Sequence, residues 1–176
     1  MTIRTGFTGF TIASMVMIGI WVLGFAPQAR AETVNFKQFT HVTKQDMVPV
    51  ADVEGHAIGV NVREGAQVSD KGEWAWVKAC LVVDSIKGAG KLEAYTTITF
   101  MDGSTYTIHT RGALEATPQG VTSAAKITGD LVSGTGRFQG IKGTVTMSTK
   151  LLTPEKGELG GKAFNEGTLT YTLPGR

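Results

Sequence analysis

From residue 34 onward the chain reads as short runs in which apolar and polar residues alternate, broken by glycine-bearing turns. No stretch of about ten residues or more repeats apolar side chains at spacings of three, four and seven, so no helix is predicted there. Runs rich in Thr, Val, Ile and aromatic residues predict eight strands, at 34–42, 56–64, 72–85, 90–101, 104–115, 123–132, 143–152 and 164–172. Residues 43–55 show no period and read as a linker, and 153–163 as a polar loop. Lys87-Gly88-Ala89-Gly90 and Thr117-Pro118-Gln119-Gly120 read as turns.

The sharpest local signal is Asp102-Gly103, set between alternating runs. It predicts a two-residue type I′ hairpin turn, in which both central residues take positive φ. The register would set Met101 against Ser104, Thr99 against Tyr106, Thr97 against Ile108 and Thr96 against His109.

Many short strands with turns between them predict an all-β chain, a sandwich or a barrel. Closure removes exposed sheet edges, which favours a single antiparallel eight-stranded β-barrel of calycin-like form. Such a barrel is wide enough to be filled by side chains or to hold one small ligand. An outer-membrane barrel needs aromatic girdles and a lipid-facing apolar band. After residue 31 there are only ten aromatic residues, and the chain ends Leu-Pro-Gly-Arg, so a soluble barrel is expected.

Composition changes the picture mainly at the N-terminus. Arg4 precedes an almost uncharged apolar run, which ends at Ala29-Arg30-Ala31. A positive start, an apolar middle and a small-x-small exit predict a secretory signal peptide over 1–31, cleaved after Ala31. An uncleaved anchor helix is the alternative. The organisation is then 1–31 signal peptide, 32–55 N-terminal strand and linker, and 56–176 barrel domain, with a periplasmic or secreted location. Residues 1–31 carry Arg4 and Arg30 and no acid, so the whole-chain charge of +2 falls to 15 basic against 15 acidic residues. That balance excludes the basic surface a nucleic-acid partner requires. Cys80 is the only cysteine, so no intrachain disulfide forms. Lying in an apolar run, it is a structural thiol or one that faces a ligand.

Gly134-Thr135-Gly136-Arg137-Phe138-Gln139-Gly140-Ile141-Lys142-Gly143 is the most distinctive stretch. It resembles the G-T-G-x-F-x-G-x-x-G signature of the allene oxide cyclase-like barrel proteins, relatives of the plant dirigent proteins. Phe100-x-Asp102-Gly103-Ser104 resembles the bacterial members, and the similarity spans about residues 54–173. Gly134, Gly136, Gly140 and Gly143 are read as turn residues, with Phe138 plugging one barrel end. The resemblance implies a small barrel with an apolar cavity, often in an oligomer. It also implies relatives that cyclise or steer reactive hydrophobic molecules without metal or organic cofactor. None of their catalytic residues maps onto this chain.

Candidate chemistry is sparse. His41, His56 and His109 show no metal-ligand spacing, and no nucleophile elbow is present. Thr96, Thr107, His109 and Arg111 would share a strand face, a patch suited to a carboxylate or oxyanion if it points inward. Trp74 and Trp76 alternate with Ala75 and Val77 on a strand that is apolar on both faces, with Cys80 further along. One face should be core or cavity and the other covered by another copy in a homo-oligomer. Glu73 and Glu93 are strand carboxylates that could serve as a general base. The ligand-binding candidates are therefore Trp74, Trp76, Cys80, Thr96, His109 and Arg111, with no metal and no cofactor. The leading expectation is an exported barrel that holds a small hydrophobic or amphipathic molecule. A cofactor-independent cyclase or isomerase, and a filled structural barrel, are the alternatives.

Overall fold

The computed structural model describes residues 30–116, 122–152 and 154–175. Eight strands follow one another: β1 (Glu32–Pro49), β2 (His56–Ser69), β3 (Trp74–Ile86), β4 (Ala89–Phe100), β5 (Thr105–Ala116), β6 (Thr122–Gly134), β7 (Lys142–Leu151) and β8 (Ala163–Thr172). Each pairs with the next, and β8 pairs with β1, which closes the barrel. Every ladder is antiparallel, and the first and last strands meet from Glu32 opposite Tyr171 to Thr40 opposite Ala163. Among the described residues, no helix is long and apolar enough to cross a membrane. The expected signal peptide, apart from residues 30 and 31, and the expected turn at Thr117-Pro118-Gln119-Gly120 lie outside the described residues.

Two expectations are corrected here. Residues 43–49 belong to β1 and form part of the barrel wall; only 50–55 form a turn. The register slips between Val42 and Lys44, so Thr43 faces no residue of β2 in the ladder, although its hydroxyl donates to the Val62 carbonyl at 3.4 Å. A bulge of this kind moves the inward face from one parity to the other. Phe36, Gln38 and Thr40 point inward before it, and Gln45 and Met47 line the interior after it.

The Asp102-Gly103 turn has three loop residues rather than two. Gly103 N–H donates to Phe100 C=O at 3.0 Å, Phe100 N–H donates to Ser104 C=O at 2.9 Å, and Asp102 Oδ1 accepts from Ser104 N–H at 3.0 Å. Only Gly103, at φ +79°, takes positive φ; Asp102 does not. A type I turn closed by a glycine bulge therefore replaces the type I′ turn. The register moves by one residue: Tyr95 faces His109, Thr96 faces Ile108 and Thr97 faces Thr107. The two-residue turn with both φ values positive lies instead at Lys87 (φ 51°) and Gly88 (φ 84°), between β3 and β4.

The two ends of the barrel differ. The β2–β3, β4–β5 and β6–β7 connections share one end with the chain's entry into β1. There Gly136–Phe138 makes a single 3-10 turn and buries Phe138. Its ring packs against Phe100 at 4.9 Å, Tyr106 at 5.2 Å and Tyr171 at 6.4 Å between centroids. With Val77, Ile98, Ile108, Leu131, Val145 and Leu169 these rings form the main core. Gly136 takes φ +58°, and a Cβ there would stand 2.4 Å from Ser104 Oγ, so this turn requires glycine. The opposite end carries the β1–β2, β3–β4, β5–β6 and β7–β8 connections and has no such plug among the described residues.

Candidate functional site

Above the aromatic plug the interior opens into a cavity of about 230 Å³. Its two sides differ in chemistry because β3 and β4 turn mostly small and aliphatic residues inward, Thr96 apart, while β1, β2, β7 and β8 contribute polar ones. Val77, Ala79, Leu81, Val83, Leu92 and Ala94 form the apolar wall, joined by Ile127. Gln38, Thr40, Asn61, Arg63, Thr149 and Asn165 form the polar wall.

The polar wall is internally wired. Thr149 Oγ1 donates to Asn165 Oδ1 at 2.6 Å, Asn165 Nδ2 to Gln38 Oε1 at 3.1 Å and Gln38 Nε2 to Gln67 Oε1 at 2.8 Å. Gln67 Nε2 then donates to Tyr106 Oη at 3.2 Å. Gln38 and Gln67 are each only 3% exposed. Satisfying one another is what makes amides tolerable at that depth. Burial pushes the Tyr106 phenol up to about 12, so it stays protonated.

Arg63 is the single charged side chain among the described residues lining the cavity. It is 8% exposed, with Nε donating to Thr40 Oγ1 at 3.3 Å and Nη2 donating to the Gly161 carbonyl of the β7–β8 loop. Burial pulls it down to about 10, which leaves it protonated at neutral pH. On the same inward face of β2, Asn61 Oδ1 is buried and has no partner.

The residues singled out in the sequence divide between the two surfaces. Thr96 is buried and lines the cavity. Trp74, Trp76 and Cys80 stand on the outside of β3, the tryptophans 61% and 53% exposed. They do not line the interior, because Ala75, Val77 and Ala79 hold the inward positions. His109 and Arg111 also face outward and do not share a face with Thr96. His109 stacks on Tyr95 with ring centroids 4.3 Å apart. His109 Nε2 lies 2.5 Å, and Arg111 Nε 3.2 Å, from Glu93 Oε1. That contact holds the Glu93 carboxyl below the ordinary value, so an ionised, paired Glu93 sits on the outer surface. Glu73 is also on the outside, where Arg137 Nη1 reaches its carboxylate at 2.8 Å. Asp102, Gly103, Gly136, Phe138 and Gly140 build the turns of the plugged end, whereas Gly134 and Gly143, read as turn residues, are strand residues at the end of β6 and the start of β7, without positive φ. No group of three or more metal-ligating side chains occurs among the described residues.

The interior residues the sequence reading missed are Gln38, Asn61, Arg63, Gln67, Thr110 and Asn165. On β2 the apolar residues Ile58 and Val60 face solvent, 40% and 42% exposed, while Asn61 and Arg63 face in. The usual rule that the apolar face is the inner one therefore fails on this strand. A larger groove, about 560 Å³, crosses β1, β7 and β8 on the outside. Lys37 and Glu166 on its rim pair at 3.3 Å and both are largely solvated, and Ser69 is its one buried polar lining residue among those described.

No family model matches the chain, and no curated protein matches it. The fold does match solved structures. The pterocarpan synthase dirigent protein GePTS1 superposes with a TM-score of 0.52 at 17% identity, over 92% of this chain and 98% of that one. The pterocarpan synthase dirigent protein PsPTS1 gives 0.49 at 16% identity, over 81% of this chain and 95% of that one. The first similarity establishes a dirigent-like eight-stranded antiparallel barrel, and at this identity it speaks for the fold alone.

Proposed function

We propose that the barrel is an exported small-molecule binding protein whose interior takes an amphipathic ligand. The observation that carries this reading is the divided cavity, with an aliphatic wall on β3 and β4 facing a buried polar wall on β1, β2 and β8. Enclosed, mostly apolar cavities with a few convergent polar groups are the usual small-molecule sites. The signal-like sequence at residues 1–31 supports export. The apolar residues on the outside of β2 and β3 are the surface on which a second copy packs.

A cofactor-independent cyclase or isomerase is the second reading. The similar structure GePTS1 is a pterocarpan synthase, and Arg63 and Asn61 are polar groups that would orient a reacting molecule in the cavity. A filled barrel with a purely structural role fits the open interior less well.

Calorimetric titration of the protein with 1-octanol tests the binding reading. Octanol is expected to bind, and Ala79→Phe, which places a ring in the cavity from β3, is expected to abolish binding. Heat that is unchanged by Ala79→Phe would locate the alcohol elsewhere.

A further inference from the structure

Arg63 is a buried cation without a counter-ion. Among the described residues no carboxylate lies within ion-pair distance of it, and none lines the cavity. Its guanidinium has five N–H donors. Thr40 Oγ1 and the Gly161 carbonyl take one each, both as neutral acceptors. Desolvating a charge without an opposite charge is costly, and burial is the cause that lowers the Arg63 value. Two residues along the same strand, the buried Asn61 amide oxygen is an unfilled acceptor that an N–H or O–H of a ligand's body would satisfy and a carboxylate would not. The only charge lining the cavity is thus unbalanced and shares the cavity with the aliphatic wall.

We propose that Arg63 receives the head group of a small amphipathic carboxylate, with the apolar body of the ligand lying against Val77, Ala79, Leu81 and Leu92. This rests on the cavity being the binding site and names the class of molecule it takes. A planar carboxylate matches the planar guanidinium fork and balances its single charge. A phosphate dianion would leave a negative charge uncompensated in a cavity with no second cation among the described residues. A neutral alcohol or phenol would leave Arg63 unbalanced. The three N–H groups not engaged by Thr40 and Gly161 are the donors available to the ligand.

The test compares sodium octanoate with 1-octanol on the full-length protein by calorimetry, near neutral pH. Octanoate is expected to bind at least about tenfold tighter, the range of a charge-assisted hydrogen bond. Arg63→Gln is expected to remove that preference and leave octanol binding in place, while Arg63→Lys keeps a preference for the anion. If Arg63→Gln does not fold, the ratio measured on the unaltered protein decides. Octanol binding with octanoate no tighter would overturn the carboxylate assignment and leave the cavity reading standing. Binding of neither probe would overturn both. A preference for octanoate that survives in Arg63→Gln would place the anion site elsewhere.

Discussion

The imidazole Nδ1 of His56, the first residue of β2, stands 2.6 Å from the carboxylate of Asp52 in the turn just before it. Its Nε2 lies 2.9 Å from Asp84 Oδ1 near the end of β3. Both nitrogens donate at once only when the ring is protonated. The hydrogen bond to Asp52, then that to Asp84, raises the His56 pKa above the ordinary 6.5, and the same contact to His56 lowers Asp52 below 3.8. The histidine contribution to stability is complete below 6.5 and lost as pH rises through its raised folded value. The aspartate contribution is present above 3.8 and lost as pH falls through its lowered folded value. The difference in thermal midpoint between the unaltered protein and His56→Gln is therefore expected to be greatest between these limits and to shrink in alkali. A difference that stays flat from about pH 5 to about pH 9 would show that the bridge does not act through its charge.

Phe138 is the keystone of the closed end. It packs against Phe100, Tyr106 and Tyr171, and the Arg137 guanidinium lies 4.9 Å from its ring centre. Phe138→Ala should cost about 3–5 kcal/mol in urea unfolding, the range for removing a buried ring, and Phe138→Leu distinctly less. Equal midpoints for the two variants would mean that the plug collapses without loss.

Gln38 links Asn165 to Gln67 in the buried amide chain. Gln38→Leu leaves Gln67 Oε1 and Asn165 Nδ2 without these partners, at about 1–3 kcal/mol for each orphaned group. Combining it with Gln67→Leu removes one orphan and should cost less than the sum of the single variants. Additive losses in denaturant unfolding would show that the amides act independently.

The outer surface of β2 and β3, with Tyr95 beside it on β4, exposes Ile58, Val60, Trp74, Trp76 and Val82. Light scattering in solution is expected to give a mass above that of one chain, and Val60→Lys with Trp76→Lys to reduce it to one. A single-chain mass for the unaltered protein would leave this face uncovered in solution. Cys80, exposed on the same face, should then react with a thiol reagent without denaturant.

The strand count, the closed barrel and the plug at Phe138 were legible because alternation and glycine turns are local properties. The second half of β1 was not, because the bulge at Thr43 breaks the alternation on which a strand is recognised. The Asp102-Gly103 signal located the hairpin but not its register: a three-residue loop and a two-residue loop use the same glycine, and one residue decides every facing pair. The cavity was hidden for a different reason. On β2 the polar residues are inside and the aliphatic ones outside, so hydrophobicity pointed away from Arg63 and Asn61. The importance of Arg63 comes from the neighbours the ring brings to it, Thr40 on β1 and Gly161 in the β7–β8 loop.

The first strand is held on one side by the last. Tyr171 Oη donates to Glu32 Oε2 at 3.0 Å across a sequence separation of 139 residues. Without β8 the sheet is an open ribbon with two bare edges, and only when that strand docks can it become a ring. A chain that lost its last strand would therefore present edges of the kind that recruit other strands.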